Sequence, residues 1–171
     1  MKRLALLALF ALLTCGCGRP FDVKTAPGFV ELENQEPQYD YRSVSPEGVV
    51  FGVRVVPLNA DQEDVSFWTR AVILHMRESN GYALLSMRDV ASRDGTKGAE
   101  LLFGHDENGK PFLYDLRLFV AQDRLFVVET GGAKSDVEHY RPSTDWMESS
   151  VRVRCGMFLS PVLASRTCNR W

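Results

Sequence analysis

Apolar residues recur along this chain with three spacings, and each spacing predicts a different kind of element. Residues 4–13 (LALLALFALL) are apolar without a break. Residues 28–34 begin with Phe29, Val30 and Leu32, and 38–44 (QYDYRSV) alternate aromatic and polar side chains, as half-exposed strands do. After the turn composition of Ser45-Pro46-Glu47-Gly48, residues 49–57 (VVFGVRVVP) are rich in β-branched side chains and predict a buried strand. The period then changes. Val65, Trp68, Val72 and Met76 fall at helical spacing, with Phe67, Ala71 and Leu74 widening the apolar face. Asp61 is the expected N-cap, with Asp64 at the fourth position of a capping-box-like pattern, and Asn80-Gly81 is the expected stop.

Four more strands are predicted at 82–90, 99–104, 111–120 and 124–130. Asn108-Gly109 joins the second and third, because both residues tolerate the positive φ of a tight hairpin. In the third of these strands Phe112, Tyr114, Leu116, Leu118 and Val120 share one face, while Asp115 and Arg117 point to a wetter one. Gly131-Gly132 is expected to break the last strand. A helical region over 135–155 follows, interrupted at Pro142 and restarted with Ser143 as its cap. Strands, helix, four antiparallel strands and helix give an α+β protein: an antiparallel sheet of about six strands packed with two main helices.

The first apolar run is preceded by Lys2 and Arg3, and it is shorter than the roughly 20 residues a membrane-spanning helix needs. This is the pattern of a secretory signal peptide. Thr14-Cys15-Gly16-Cys17 follows and resembles the lipobox of bacterial lipoproteins, in which a small residue precedes the cysteine that is acylated and becomes the new N-terminus. Gly16 before Cys17 fits that pattern. Thr14 before Cys15 fits it less well, so Cys17 is the expected lipidation site and Cys15 the alternative. The leucine usual three positions before the cysteine is replaced here by Thr14. The resemblance implies removal of residues 1–16, a lipid anchor and tether over 17–27, and one globular domain over 28–171. It also implies a bacterial envelope location, held at a membrane through acyl (palmitate-type) chains. Gly18, where some inner-membrane lipoproteins carry aspartate, favours the outer membrane facing the periplasm.

Charge and cysteine usage narrow the partners. Loss of Lys2 and Arg3 takes the formal charge from −2 to −4, which argues against nucleic acid and against a polybasic membrane surface. The remaining cysteines, Cys155 and Cys168, lie in a compartment that permits disulfides. They are expected to form one bridge pinning the C-terminal tail, the alternative being two unpaired thiols. The C-terminal Trp171 is a candidate contact residue for a partner or a bilayer interface.

The element order, with its apolar strand, Gly-Gly and helix at the end, resembles the PsbP-like fold over residues 28–155. That resemblance implies an α/β/α sandwich and a role in binding or stabilising other proteins rather than in catalysis. No motif argues otherwise. Thr130-Gly131-Gly132-Ala133-Lys134-Ser135 lacks the glycine before lysine that a phosphate loop needs. His105-Asp106-Glu107-Asn108-Gly109 lacks the closing glutamate of a calcium loop and suits a hairpin turn. His75 and His139 have no second histidine or cysteine three or four residues away. Asp61, Glu63 and Asp64 suit a helix start, and Glu31, Glu33 and Glu36 suit a solvated strand edge. Ser45, Ser86 and Ser135 stand in no nucleophile context, and Trp68 and Trp146 are expected to anchor the core from their helices. The expectation is a non-enzymatic envelope lipoprotein without metal or cofactor that binds or helps assemble a protein partner. The alternative is a small-molecule-binding or hydrolytic lipoprotein of the periplasm.

Overall fold

The computed structural model describes residues 19–33, 37–59, 64–121 and 123–153. Its elements are β1 (Val30–Glu31), β2 (Tyr41–Val44), β3 (Val50–Pro57), α1 (Val65–Asn80), β4 (Ala83–Ala91), β5 (Lys97–Glu107), β6 (Lys110–Ala121), β7 (Arg124–Ala133) and α2 (Lys134–Ser150). The seven strands form one antiparallel sheet in the order β1-β2-β3-β7-β6-β5-β4. The fold is the α+β sandwich the pattern implied, with one strand more than the six expected. What periodicity does not encode is that β3 pairs with β7 rather than β4. The stretch through α1 therefore carries the chain from the middle of the sheet to its far edge.

Each face of the sheet has its own core. On one face α1 packs against β4, β5 and β6, over Leu101, Phe103, Leu116 and Leu118. On the other, α2 packs against β6 and β7, and the N-terminal segment completes a core containing Phe51, Phe119, Phe126 and Met147. Phe51, Phe103, Phe119 and Phe126 are almost wholly buried, and each contributes about 1.5–3 kcal/mol by leaving water.

Several local expectations are corrected. Residues 21–27, assigned to a tether, are part of the fold: Phe21 and Ala26 are buried, and Asp22 forms a two-way backbone bridge with Arg152. The α1 cap is Asp64, whose carboxylate accepts from the Ser66 amide at 2.8 Å, while Asp61 lies outside the described residues. Gly81 closes α1 in the left-handed region, at φ 68°. Phe67 and Leu74 are exposed, so the buried stripe of α1 is narrower than drawn. Trp68 packs partly buried against the α1-side core, but Trp146 is exposed on α2. Gly131 and Gly132 do not end β7; both lie in its ladder, opposite Tyr114 and Leu113. Nor does Pro142 interrupt α2, which runs unbroken through it to Ser150. Finally, the face of β6 bearing Asp115 and Arg117 is not the wetter one. α2 covers it, and Asp115 is buried.

The hairpin at Asn108-Gly109 forms as expected, with φ of 55° and 80° and the Gly109 amide donating to Asp106 Oδ1 at 2.8 Å.

Candidate functional site

Because α1 sits over β4, β5 and β6, the same face of the sheet is left open over β2, β3 and part of β7. There a cleft of about 300 Å³ opens, lined among others by Tyr39, Arg42, Val50, Tyr82, Phe112, Tyr114 and Glu129. Strand register assembles it. Arg42 pairs with Gly52, which pairs with Glu129; in the next row of the same face, Val50 pairs with Gly131, which pairs with Tyr114. The two glycines make room for rings. A Cβ on Gly52 would stand 2.7 Å from the Tyr39 ring, and one on Gly131 would stand 2.9 Å from that of Tyr114. Both phenols are thus laid against the sheet beside Glu129.

Glu129 is the hub. Its side chain is 3% exposed. It accepts from Tyr39 Oη, from Tyr114 Oη at 2.6 Å and from Arg54 Nη2 at 2.7 Å. Burial, and then the hydrogen bond to Glu129, push the Tyr39 phenol up to about 12. Burial and the Glu129 charge push Tyr114 up further. Burial opposes the Arg54 charge, but Glu129 and the two phenols outweigh it and hold the guanidinium above its ordinary value. Arg42 and Arg54 also lie over the Tyr39 ring, 5.5 and 5.8 Å from its centroid. At the other wall Tyr82 packs against Tyr114 and His105, whose Nδ1 is 3.2 Å from the Gly81 carbonyl oxygen.

This arrangement holds rather than reacts. Three donors converge on the Glu129 carboxylate and hold it in place. Phenols raised as these are stay protonated and are poor nucleophiles. What remains is a preorganised aromatic and guanidinium surface, the side-chain chemistry enriched at recognition hot spots.

A second polar cluster lies under α2. Arg117 Nη2 stands 2.8 Å from Glu100 and 2.6 Å from Glu148, and Thr130 Oγ1 donates to Glu148 at 2.9 Å. Arg88 reaches Glu100 from the sheet edge through two contacts of 2.5 and 2.9 Å. Asp115 is buried beside them, and its Oδ1 has no hydrogen-bond partner among the described residues. Burial, then the Glu100 charge, push Asp115 up to about 6. Burial likewise pushes Glu148 up to about 7, with Arg117 opposing and Asp115 adding to the rise.

Of the residues singled out from sequence, Cys15, Cys17, Cys155, Cys168 and Trp171 lie outside the described residues. Asp64 caps α1, Glu31 pairs with Arg19, and His105 sits at the cleft wall. Among the described residues no three His, Cys, Asp or Glu side chains converge as metal ligands. Neither polar cluster was anticipated. The available signal was a charge inside an apolar run: Arg54 in VVFGVRVVP and Glu129 after LFVV.

No family model matches the sequence, and no curated protein is similar to it. Solved structures are similar in fold. The Ran-binding protein Mog1p of Saccharomyces cerevisiae superposes with a TM-score of 0.57 at 13% identity, covering 82% of this chain and 92% of that one. Cyanobacterial PsbP (CyanoP) from Synechocystis gives 0.52 at 12% identity, covering 84% and 99%. LpqN of Mycobacterium tuberculosis, a protein involved in cell envelope biogenesis, gives 0.51 at 11% identity, covering 77% and 81%. The PsbP-like fold inferred from element order is therefore the fold of this chain. At these identities the likeness concerns fold alone.

Proposed function

We propose that this protein is a non-enzymatic binding domain of the bacterial cell envelope, anchored through acylated Cys17 and recognising a protein partner in the Tyr39–Arg42–Tyr114 cleft. The observation that carries the reading is Glu129: one buried carboxylate, held by two phenols and a guanidinium, fixes the cleft walls. Folds of this kind serve Ran binding in Mog1p and envelope biogenesis in LpqN, which is compatible with a binding role here. The lipobox-like Thr14-Cys15-Gly16-Cys17 supports the anchor, with Cys15 as the alternative site, on the outer membrane facing the periplasm. Since Phe21 is packed in the core, the free tether between lipid and domain is only a few residues long. A partner would then be engaged close to the bilayer, with Trp171 available as a further contact.

A second reading, a small-molecule ligand in the same cleft, is favoured by the cleft volume, which is at the lower end of the range for ligand pockets.

Two measurements test the proposal. The intact mass of membrane-extracted protein should show a chain beginning at Cys17 with added acyl mass, lost in Cys17→Ser; an unmodified chain would remove the anchor. Chemical cross-linking of intact envelopes should give a discrete protein adduct that Gly52→Ala, which displaces Tyr39, abolishes. An adduct unchanged in that variant would remove the cleft as the contact surface.

A further inference from the structure

The N-terminal segment keeps to one face of the sheet, the one opposite the cleft. Arg19 is the first described residue; its guanidinium pairs with Glu31 and lies 5.2 Å over the Tyr41 ring. Phe21 then enters the core that α2 covers, and Asp22 bridges Arg152. The Lys24 amide donates to Ser150 Oγ at 2.9 Å, and Phe29 meets the Tyr140 ring edge-on at 5.5 Å. Thr25 Oγ1 and Tyr41 Oη are hydrogen-bonded at 2.7 Å, so Arg19 and Thr25 meet at one ring. α2 and this segment therefore form a single layer, and Arg19 is fixed in it.

The outer side of the layer carries an unusual residue. Trp146 is 46% exposed on α2, on the same outward ridge as Pro142 and Ser149. It stands one helical turn, about 6 Å, before the Ser150 that binds the Lys24 amide. An exposed indole has an apolar ring and one N–H donor. Both are served at the boundary between lipid headgroups and acyl chains, where tryptophan is enriched. The exposed charges of 19–31 and 134–150 balance: Arg19 pairs with Glu31, Lys134 with Glu138 at 3.9 Å, and Lys24 and Asp145 are opposite in sign.

We infer, on the reading that Cys17 is acylated, that the α2 layer lies on the bilayer holding that anchor, with the Trp146 ring in the interfacial zone and the cleft facing away. Gly18 alone separates Cys17 from Arg19, and two residues extend at most about 7 Å. The headgroup zone of a bilayer is itself about 5–7 Å deep. Arg19 is thus held at the membrane surface, and the layer it is packed in is held there with it. The exposed Leu85 and Met87 lie on β4, at the other edge of the sheet, about 24 Å from β2.

The test uses the full-length lipoprotein in vesicles of phosphatidylethanolamine and phosphatidylglycerol. A fluorescent amino acid replaces Ser149, Phe112 or Leu85, and bromine-labelled acyl chains act as quencher. Bromolipid should remove most of the emission from position 149 and little from 112 or 85. Adding Trp146→Ser, a change at an exposed side chain, should lower the quenching at 149 several-fold. An unquenched label at 149 in protein that stays with the vesicles overturns the orientation and leaves the anchor standing. Stronger quenching at 112 or 85 overturns it in favour of the cleft or the β4 edge facing the bilayer. Quenching at 149 that Trp146→Ser leaves unchanged overturns Trp146 as the contact. Protein that leaves the vesicles as Cys17→Ser does overturns the anchor, and the orientation falls with it.

Discussion

The two faces of the sheet bury charge in opposite balance. On the α1 face one carboxylate, Glu129, accepts from Arg54, Tyr39 and Tyr114, three donors shared between its two oxygens. On the α2 face three carboxylates, Glu100, Asp115 and Glu148, surround the buried Arg117, with Arg141, Thr130 and the largely exposed Arg88 adding to it. The first cluster pairs its carboxylate with three donors and leaves a surface open to solvent. The second holds more negative charge than it can neutralise, so it takes up protons as the pH falls. A buried ion pair is weak evidence for net stability; what it secures is a large penalty for removing one partner.

Removing the central partner on each face gives the largest contrast. Arg117→Ala removes the guanidinium paired with Glu148 and Glu100, of which Glu100 keeps Arg88, and should cost about 3–5 kcal/mol in urea denaturation at pH 8. Much of that should return by pH 5, as Asp115 and Glu148 protonate. Glu129→Ala leaves Arg54 to solvent and two phenols without their acceptor, and should cost less, about 1–3 kcal/mol, with little change between those pH values. Equal pH dependence in the two variants would break the comparison.

The wild type should carry the same asymmetry. Asp115 and Glu148 have folded pKa values raised above their unfolded ones, so between pH 4 and 7 the folded state binds more protons than the unfolded. Their contribution to stability is therefore fully present below about pH 4 and declines as the pH rises through 6 and 7. The groups facing them, Arg88, Glu100, Arg117, Arg141 and Asp145, set how steep the decline is. Glu148→Gln should flatten the upper part of a plot of denaturation midpoint against pH, and an unchanged slope would remove Glu148 from the account.

Gly52→Ala should cost about 1–3 kcal/mol, since its Cβ meets the Tyr39 ring at 2.7 Å and the Glu129 side chain at 3.2 Å. Tyr39→Phe is the mildest change. It removes one of three donors from Glu129 on a half-exposed ring and should cost about 1 kcal/mol. A calorimetric comparison of the two orders them; a larger loss from Tyr39→Phe would mean the phenol, not the glycine floor, holds the cleft.

Legibility in the sequence followed the range of the interactions. The spacing of Val65, Trp68, Val72 and Met76 and the stop at Gly81 marked α1, and Asn108-Gly109 marked the β5–β6 turn, because each depends on residues close in the chain. Arg42, Arg54, Tyr114 and Glu129 meet only because β3 pairs with β7, a choice made by long-range packing that leaves no local period. Asp115 and Arg117 were assigned to water for a related reason. Alternation tells which residues share a face, not whether a helix later covers it. Gly131-Gly132 was taken as a strand end because glycine weakens strands, whereas here Gly131 admits the Tyr114 ring and stays in the ladder.

The most direct test of the binding account is a photo-cross-linking side chain introduced at Phe112, in the cleft, and separately at Glu138, exposed on α2, in protein held in its native envelope. The account predicts a discrete protein adduct from position 112 that is absent from position 138 and is lost when Gly52→Ala is added. Adducts from both positions alike, or none from position 112, would contradict it.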